Sequence, residues 1–385
     1  MPRQAQRWDV FCSVVDNYGD AGVCWRLARQ LVAEHRLEVR LFVDAQPALS
    51  RLAPAVDASL DAQIVEGVRV CRWAGAQAEA RISEVADVVI EAFGCGLPQA
   101  YLATMAARSR QPAWINLEHL SAEGWIEDCH GLPSRHPTLP LTRHFFFPGF
   151  TTASGGLLRE DDLFTRRDAF QADAGAQASF WRSLRIAKPE PGVCVVSVFC
   201  YANAPLPSLL ETWSRSEPPI LCLVPEGVAA ASLDAWSSGV LATVGQQHRL
   251  GRVAVARVPF LDQEDYDRLL WSCHLNFVRG EDSFVRAQWA ARPLVWQPYV
   301  QREDAHRLKL DAFLGRYAAG MGDEAAQSLS TFSHAWIGEG EAGKAWMGLA
   351  TALPALSAHA PAWSASLASM PDLAASLVRF CADRV

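Results

Sequence analysis

Two short stretches hold the residue types that a group transfer requires. Near the start, Asp16 and Asp20 stand four apart in the turn Asp16-Asn17-Tyr18-Gly19-Asp20-Ala21-Gly22, directly after an apolar run. Far along the chain, Arg279-Gly280-Glu281-Asp282-Ser283 follows a second apolar run and precedes residues at helical spacing. Carboxylates in a turn suit a neutral or cationic acceptor. One takes a proton from a nucleophile while the other holds a guanidinium or orients the base. The alternative is local: Asp20 caps the helix that follows and Asp16 is a turn residue. The second stretch offers a cation, an exposed glycine backbone, a hydroxyl and a helix N-terminus, which together neutralise a diphosphate leaving group without a metal. Glu281 and Asp282 oppose an anion unless they point elsewhere, so Glu281 is read as bonding Tyr18 or the sugar, or as fixing Arg279. Against this stands a plain helix cap with a solvated salt bridge.

Other residues fit around the second stretch. Phe199, Tyr201 and Phe260 close apolar strand-like runs, where an aromatic ring borders a ligand crevice and stacks on a base. Gln263 is placed to read that base's polar edge. Glu118, Glu123, Glu127 and Asp128 surround Trp125, either as a receiver for a basic acceptor or as an exposed helical face. His130, His136 and His144 lie among prolines without metal-ligand spacing. The chain has neither a G-x-S-x-G elbow nor a G-x-x-x-x-G-K-[ST] loop.

These residues need elements to hold them. Residues 8–15 are apolar apart from Asp9 and Ser13, as in a strand buried on both faces, and Cys24, Trp25, Leu27, Ala28, Leu31 and Val32 then recur at helical spacing. Strands follow at 39–43, 68–73, 85–90 and 113–117. Residues 129–156 read as an irregular, aromatic-rich segment with four prolines, Pro133, Pro137, Pro140 and Pro148. Residues 161–186 read as helix, and 188–192 (KPEPG) as a linker. A second series has strands at 193–199, 220–224, 253–258, 274–278 and 294–296, with helices from about 207, over 262–271 and over 284–291. After Glu303 the signal is nearly all helical, ending in an amphipathic segment, 371–385. The expectation is two α/β halves, 1–187 and 188–370, followed by the segment 371–385, whose packing the pattern leaves open.

Bulk properties exclude several classes. Of 385 residues, 50% are hydrophobic and 20% charged, so two ordinary globular domains are the prior. A net charge of −7 argues against a binder of phosphate backbones, and no run reaches the ~20 apolar residues of a membrane span. The ten cysteines form no C-x-x-C pair and several sit in apolar runs, the usage of a reduced, cytoplasmic protein. A dinucleotide fold wants G-x-G-x-x-G after its first strand, whereas this turn has only Gly19 and Gly22 and places Asp16 and Asp20 where phosphates would lie. Asp44 does stand roughly where a ribose-binding acid belongs.

The motifs together resemble a known family. The segment 279–306, with Pro293, Pro298, Gln301 and Asp304, is similar to the donor half of GT-B glycosyltransferases. With FCSVVDNYGDAGVCWRLARQL at 11–31 and SVFCYAN at 197–203, the whole chain resembles the bacterial protein-arginine rhamnosyltransferases that mature elongation factor P. The resemblance implies a GT-B fold, two Rossmann-like domains facing each other across a central cleft. It also implies transfer of L-rhamnose from dTDP-β-L-rhamnose to an arginine of elongation factor P, with inversion and without a metal or cofactor. The modified factor then rescues ribosomes stalled at polyproline. By the same resemblance Asp20 is the general base, Asp16 positions acceptor or sugar, and Glu281 is needed for activity. Asn17, Tyr18 and Gly19 line the sugar end. Phe199, Tyr201, Phe260 and Gln263 hold the thymidine, with Leu261 and Asp262 beside them. Arg279, Gly280, Glu281, Asp282 and Ser283 surround diphosphate and ribose, and Tyr299 reaches the phosphate. The competing functions are an NAD-type oxidoreductase and a non-catalytic module that binds a translation factor.

Overall fold

A computed structural model describes residues 6–16, 18–73, 84–301 and 304–384. The chain divides into two compact units, 1–161 with 367–385, and 162–366.

In the first unit the strands are β1 (Arg7–Cys12), β2 (Glu38–Val43), β3 (Ala62–Val65), β4 (Val68–Arg72), β5 (Val88–Ala92), β6 (Ala113–Leu117), β7 (Pro133–Arg135) and β8 (Thr142–Phe146). They form one sheet in the order β3-β4-β2-β1-β5-β6-β8-β7. From β4 to β8 the pairing is parallel, and β3 and β7 add antiparallel edges. Helices α1 (Gly19–Ala33), α2 (Gln46–Leu52), α3 (Gln99–Ala107) and α4 (Trp125–Cys129) lie between strands. Crossover helices cover a parallel sheet on both faces, so β5 and β6 are buried along their whole length. The exception read in the first strand, Asp9, is fully buried. Arg40 clasps it through Nε and a terminal nitrogen at 2.6 Å each, and the Tyr101 hydroxyl donates to it. A buried carboxylate is tolerable only with such partners.

The second unit has β9 (Cys194–Val198), β10 (Ile220–Pro225), β11 (Gln247–Leu250), β12 (Val253–Val258), β13 (Leu275–Arg279) and β14 (Leu294–Gln297), ordered β11-β12-β10-β9-β13-β14. Only β11 runs antiparallel. Its helices are α5 (Leu163–Ala172), α6 (Ala174–Ser183), α7 (Leu206–Trp213), α8 (Ala230–Trp236), α9 (Gln263–Ser272), α10 (Asp282–Trp289), α11 (Ala305–Tyr317), α12 (Asp323–Trp336) and α13 (Ala342–Ala368). A last helix, α14 (Leu373–Ala382), is part of the first unit, buried along Leu373, Ala374, Leu377 and Cys381. Its N-cap Asp372 accepts from Gln30 of α1 at 3.0 Å, and Leu373 N–H donates to Leu157 at 3.0 Å.

Two expectations change. The proline-rich segment 129–156 is not irregular throughout. It contains the hairpin β7–β8, with Pro133 opening one strand and Pro148 past the end of the other, where no ladder N–H is required. The division between units lies at Asp161/Asp162 rather than at 187/188. Helices α5 and α6 belong to the second unit because Phe170 packs on Trp271 of α9 (5.9 Å) and Arg167 donates to the Trp289 carbonyl at 2.9 Å. The KPEPG stretch is therefore a loop inside the second unit.

Candidate active site

In each sheet the central strand has a neighbour on either side reached by opposite crossovers, and ligands of open α/β sheets bind beyond the carboxyl ends of the strands at that point. In the first unit this point lies between β1 and β5, and the turn after β1 carries Asp16, Tyr18, Gly19 and Asp20. Asp20 is in the first turn of α1 and only 5% exposed; its Oδ2 accepts from the backbone N–H of Val15 at 2.7 Å and of Asp16 at 2.9 Å. Among the described residues, all its hydrogen bonds fall on that oxygen. It does not cap α1, whose N-cap is Tyr18 with no side-chain cap. The loop backbone thus holds a carboxylate in a fixed direction. The Asp16 carbonyl accepts from Gly19 at 2.7 Å, and a Cβ on Gly19 would meet the Asp16 carboxylate at 3.1 Å, so glycine permits the close turn. Tyr18 accepts from Arg51 of α2 at 3.1 Å. Asn17 lies outside the described residues.

Further polar groups line the same sheet edge. Glu91, buried at the end of β5, accepts from Gly96 N–H at 3.0 Å and from the Trp114 indole at 3.1 Å, with Arg143 at 3.5 Å. Asn116 donates to Glu118 at 2.6 Å, and burial lifts the Glu118 carboxyl above its ordinary range. Glu118 therefore sits just past a strand end, separate from Glu127 and Asp128 on α4. Trp125 is half exposed, edge-on to Phe147. Asp44 accepts from the Ser13 hydroxyl at 2.5 Å and from Val14 N–H at 2.9 Å, which ties it to the loop after β1. His130 and His136 accept from backbone N–H groups through Nδ1, consistent with structural roles. No group of three potential ligands is poised for a metal among the described residues.

In the second unit the corresponding point lies between β9 and β13. Phe199, Cys200 and Tyr201 follow β9, while Arg279 ends β13 and Gly280 turns the chain at φ 61° into α10. The Arg279 guanidinium lies 4.4 Å over Phe199 and 4.7 Å over Tyr201 and donates to the Cys200 carbonyl at 3.0 Å. Cation–π contact and the carbonyl bond hold the charge beside both rings. The Ser283 hydroxyl is engaged by the Arg279 backbone, accepting from its N–H and donating to its carbonyl. The N-cap Glu281 makes no side-chain cap, and Asp282 is in the first turn. The plain-cap alternative is accordingly not realised. Tyr299, 49% exposed, stands edge-on to Tyr201 at 5.6 Å. Past β12 come Phe260 and Leu261; then Asp262 caps α9 by accepting from Asp265 N–H at 2.9 Å, and Gln263 is buried in its first turn. Burial pushes the Cys200 thiol up to about 12, so it stays protonated and is no nucleophile.

The first unit thus places Asp16, Tyr18, Gly19 and Asp20 in one turn, and the second brings Phe199, Tyr201 and Arg279 together at the end of β13, where α10 begins. A family model described as elongation factor P (EF-P) rhamnosyltransferase EarP matches residues 8–382. The chain belongs to this family. A protein-arginine rhamnosyltransferase of Pseudomonas aeruginosa is 49% identical over 376 residues, 98% of this chain and 99% of the relative. One of Pseudomonas putida is 48% identical over 373 residues, 97% of this chain and 98% of the relative. A solved structure, described as the structural basis for EarP-mediated arginine glycosylation of translation elongation factor EF-P, is 36% identical with a TM-score of 0.70. It covers 99% of this chain and 100% of that one. The fold is a two-domain α/β fold shared with that structure, and the chain is a glycosyltransferase of the rhamnosyltransferase family.

Several residues of the site left no mark in the sequence reading. Trp296 donates from its indole to the Gly280 carbonyl at 2.9 Å and stacks on Phe284 at 4.0 Å, fixing the turn from below. Tyr266 packs edge-on to Phe199 at 5.7 Å, and burial pushes its phenol up. Gln297 ends β14 fully buried. A polar residue closing an apolar strand was the signal available for Gln297; the other two read as ordinary core.

Proposed function

We propose that this protein transfers L-rhamnose from dTDP-β-L-rhamnose to an arginine side chain of elongation factor P, inverting the anomeric carbon. The observation that carries the reading is the pairing, at the two switch points, of a backbone-held carboxylate with an arginine beside an uncapped helix N-terminus. The second unit holds the donor. Phe199, Tyr201, Phe260, Leu261, Asp262 and Gln263 surround the thymidine; Arg279, Gly280, Asp282, Ser283 and Tyr299 serve ribose and diphosphate; Glu281 is required for turnover. Charge developing on the departing dTDP is met by the guanidinium and the α10 dipole, with no metal or cofactor.

The first unit supplies the acceptor chemistry. An arginine with a pKa above ~12 is not deprotonated in advance, so proton removal by Asp20 accompanies attack as the sugar–phosphate bond loosens. Asp16 orients acceptor or sugar, with Asn17, Tyr18 and Gly19 at the sugar end. The fixed carboxylates contribute proximity as well as basicity. The product, rhamnosylated elongation factor P, acts on ribosomes stalled at polyproline, which assigns the protein to the cytoplasm; no helix among the described residues is long and apolar enough to cross a membrane.

Incubation with dTDP-rhamnose and elongation factor P, followed by intact-mass analysis, is expected to show one added deoxyhexose, lost when the acceptor arginine is replaced by lysine and unaffected by EDTA. An unmodified factor would overturn the reading. Binding of the factor without transfer would favour a non-catalytic module, and sensitivity to EDTA would restore a metal.

A further inference from the structure

Gln297 joins two segments that the proposed donor site needs together. It is the last residue of β14, 1% exposed, and pairs in register with Arg279 at the end of β13. Its backbone carbonyl accepts from Gly280 N–H at 3.3 Å, holding the start of the anion turn. Its side chain reaches the other way. Oε1 accepts from the Tyr201 backbone N–H at 2.8 Å, and Nε2 donates to Asn203 Oδ1 at 3.1 Å. The loop after β9, which carries Phe199 and Tyr201, thus hangs from the amide of a residue whose main chain steadies the Arg279–Ser283 turn. Without that amide the Tyr201 N–H loses the acceptor it holds at 2.8 Å, a loss that movement of the loop offsets. Such a movement separates Tyr201 from the Arg279 guanidinium, now 4.7 Å over its ring.

Resting on the donor-site reading above, we propose that Gln297, with Asn203, is a positioning residue that sets the distance between the aromatic loop and the diphosphate turn, and so sets affinity for a nucleoside diphosphate sugar. Gln297 touches no substrate itself. Three variants separate this from a merely structural role. Gln297→Leu keeps the volume and removes both side-chain bonds. Gln297→Glu keeps the acceptor for Tyr201 N–H and, with the Asn203 amide turned over, receives a bond from Asn203 Nδ2. Asn203 is exposed, so Asn203→Ala is expected to fold without difficulty.

Calorimetry with dTDP, together with steady-state transfer kinetics, provides the test. Gln297→Leu is expected to weaken dTDP binding about tenfold and to raise the donor KM in step, with kcat changed much less. Asn203→Ala is expected to show a smaller loss in the same direction, and Gln297→Glu to recover most of the affinity. Unchanged dTDP affinity in both Gln297→Leu and Asn203→Ala, with only a lower unfolding temperature in the former, overturns the proposal. So does a fall in kcat at constant KM. If the unaltered protein binds no dTDP, the donor-site reading itself fails, an outcome distinct from the failure of Gln297 alone.

Discussion

At the scale of single residues, the candidate site contains charged groups that the backbone orients. Asp20 is tied at Oδ2 to two backbone N–H groups, so replacing it by asparagine retains an oxygen acceptor for those bonds while removing the proposed base. Asp20→Asn is therefore expected to lower transfer by roughly 10²-fold or more with dTDP affinity little changed. Arg279→Ala should do the reverse, weakening dTDP binding because it removes the cation and its contacts over Phe199 and Tyr201. Titration of both variants with dTDP beside a transfer assay decides the matter; equal loss of binding in the two would contradict a division of labour between the units. The spacing of Asp16 and Asp20 in a glycine turn left the chemical and the local readings both open. What the spacing left open was whether Asp20 caps α1, and backbone placement settles it: Tyr18 occupies the cap.

At the scale of elements, α10 must be held so that its N-terminus stays at the end of β13. Arg286, one turn beyond Ser283, forms a two-pronged pair with Asp267 of α9, at 2.9 and 2.6 Å, and both side chains are 1% exposed. Breaking a buried pair on one side leaves an uncompensated charge. Asp267→Ala is expected to destabilise the second unit by about 3–5 kcal/mol, read as a lower urea midpoint for that unit's transition, with the first unit's transition unmoved. A shift common to both transitions would show that the pair is not local to α9 and α10. The parallel strands other than β8 were legible as apolar runs because such strands are buried on both faces, whereas the antiparallel edges β3 and β11 were not read. Hairpin β7–β8 was not, since its prolines at turn and edge positions carry the same composition as a loop. Only its place beside β6 makes it a strand pair.

At the scale of the whole molecule, the chain does not divide in sequence order. Residues 367–385 rejoin the first unit, where α14 buries Leu373, Ala374, Leu377 and Cys381 and its cap Asp372 meets Gln30 of α1. A chain ending at Ser369 loses that apolar cover, and truncations of a well-packed helix cost at least as much as a buried Leu→Ala change, about 2–5 kcal/mol. Hydrogen exchange should rise in α1 and around Leu157, while exchange in β9, β13 and α10, and dTDP affinity with them, stay near the values of the full chain. Faster exchange confined to the second unit would contradict the assignment of α14.

The amino-acid sequence alone determined which residues could do chemistry and that two parallel α/β sheets would present them, because apolar periodicity and turn composition are local properties. It also carried the family resemblance, through motifs at 11–31, 197–203 and 279–290. Tertiary structure decided where the units part, that α5 and α6 belong with the second sheet, and that Gln297 and Trp296 bond Gly280 while Arg286 pairs with Asp267. Those choices depend on contacts between residues far apart in the chain, such as Phe170 with Trp271 or Tyr201 with Gln297, and no short-range pattern encodes a long-range contact.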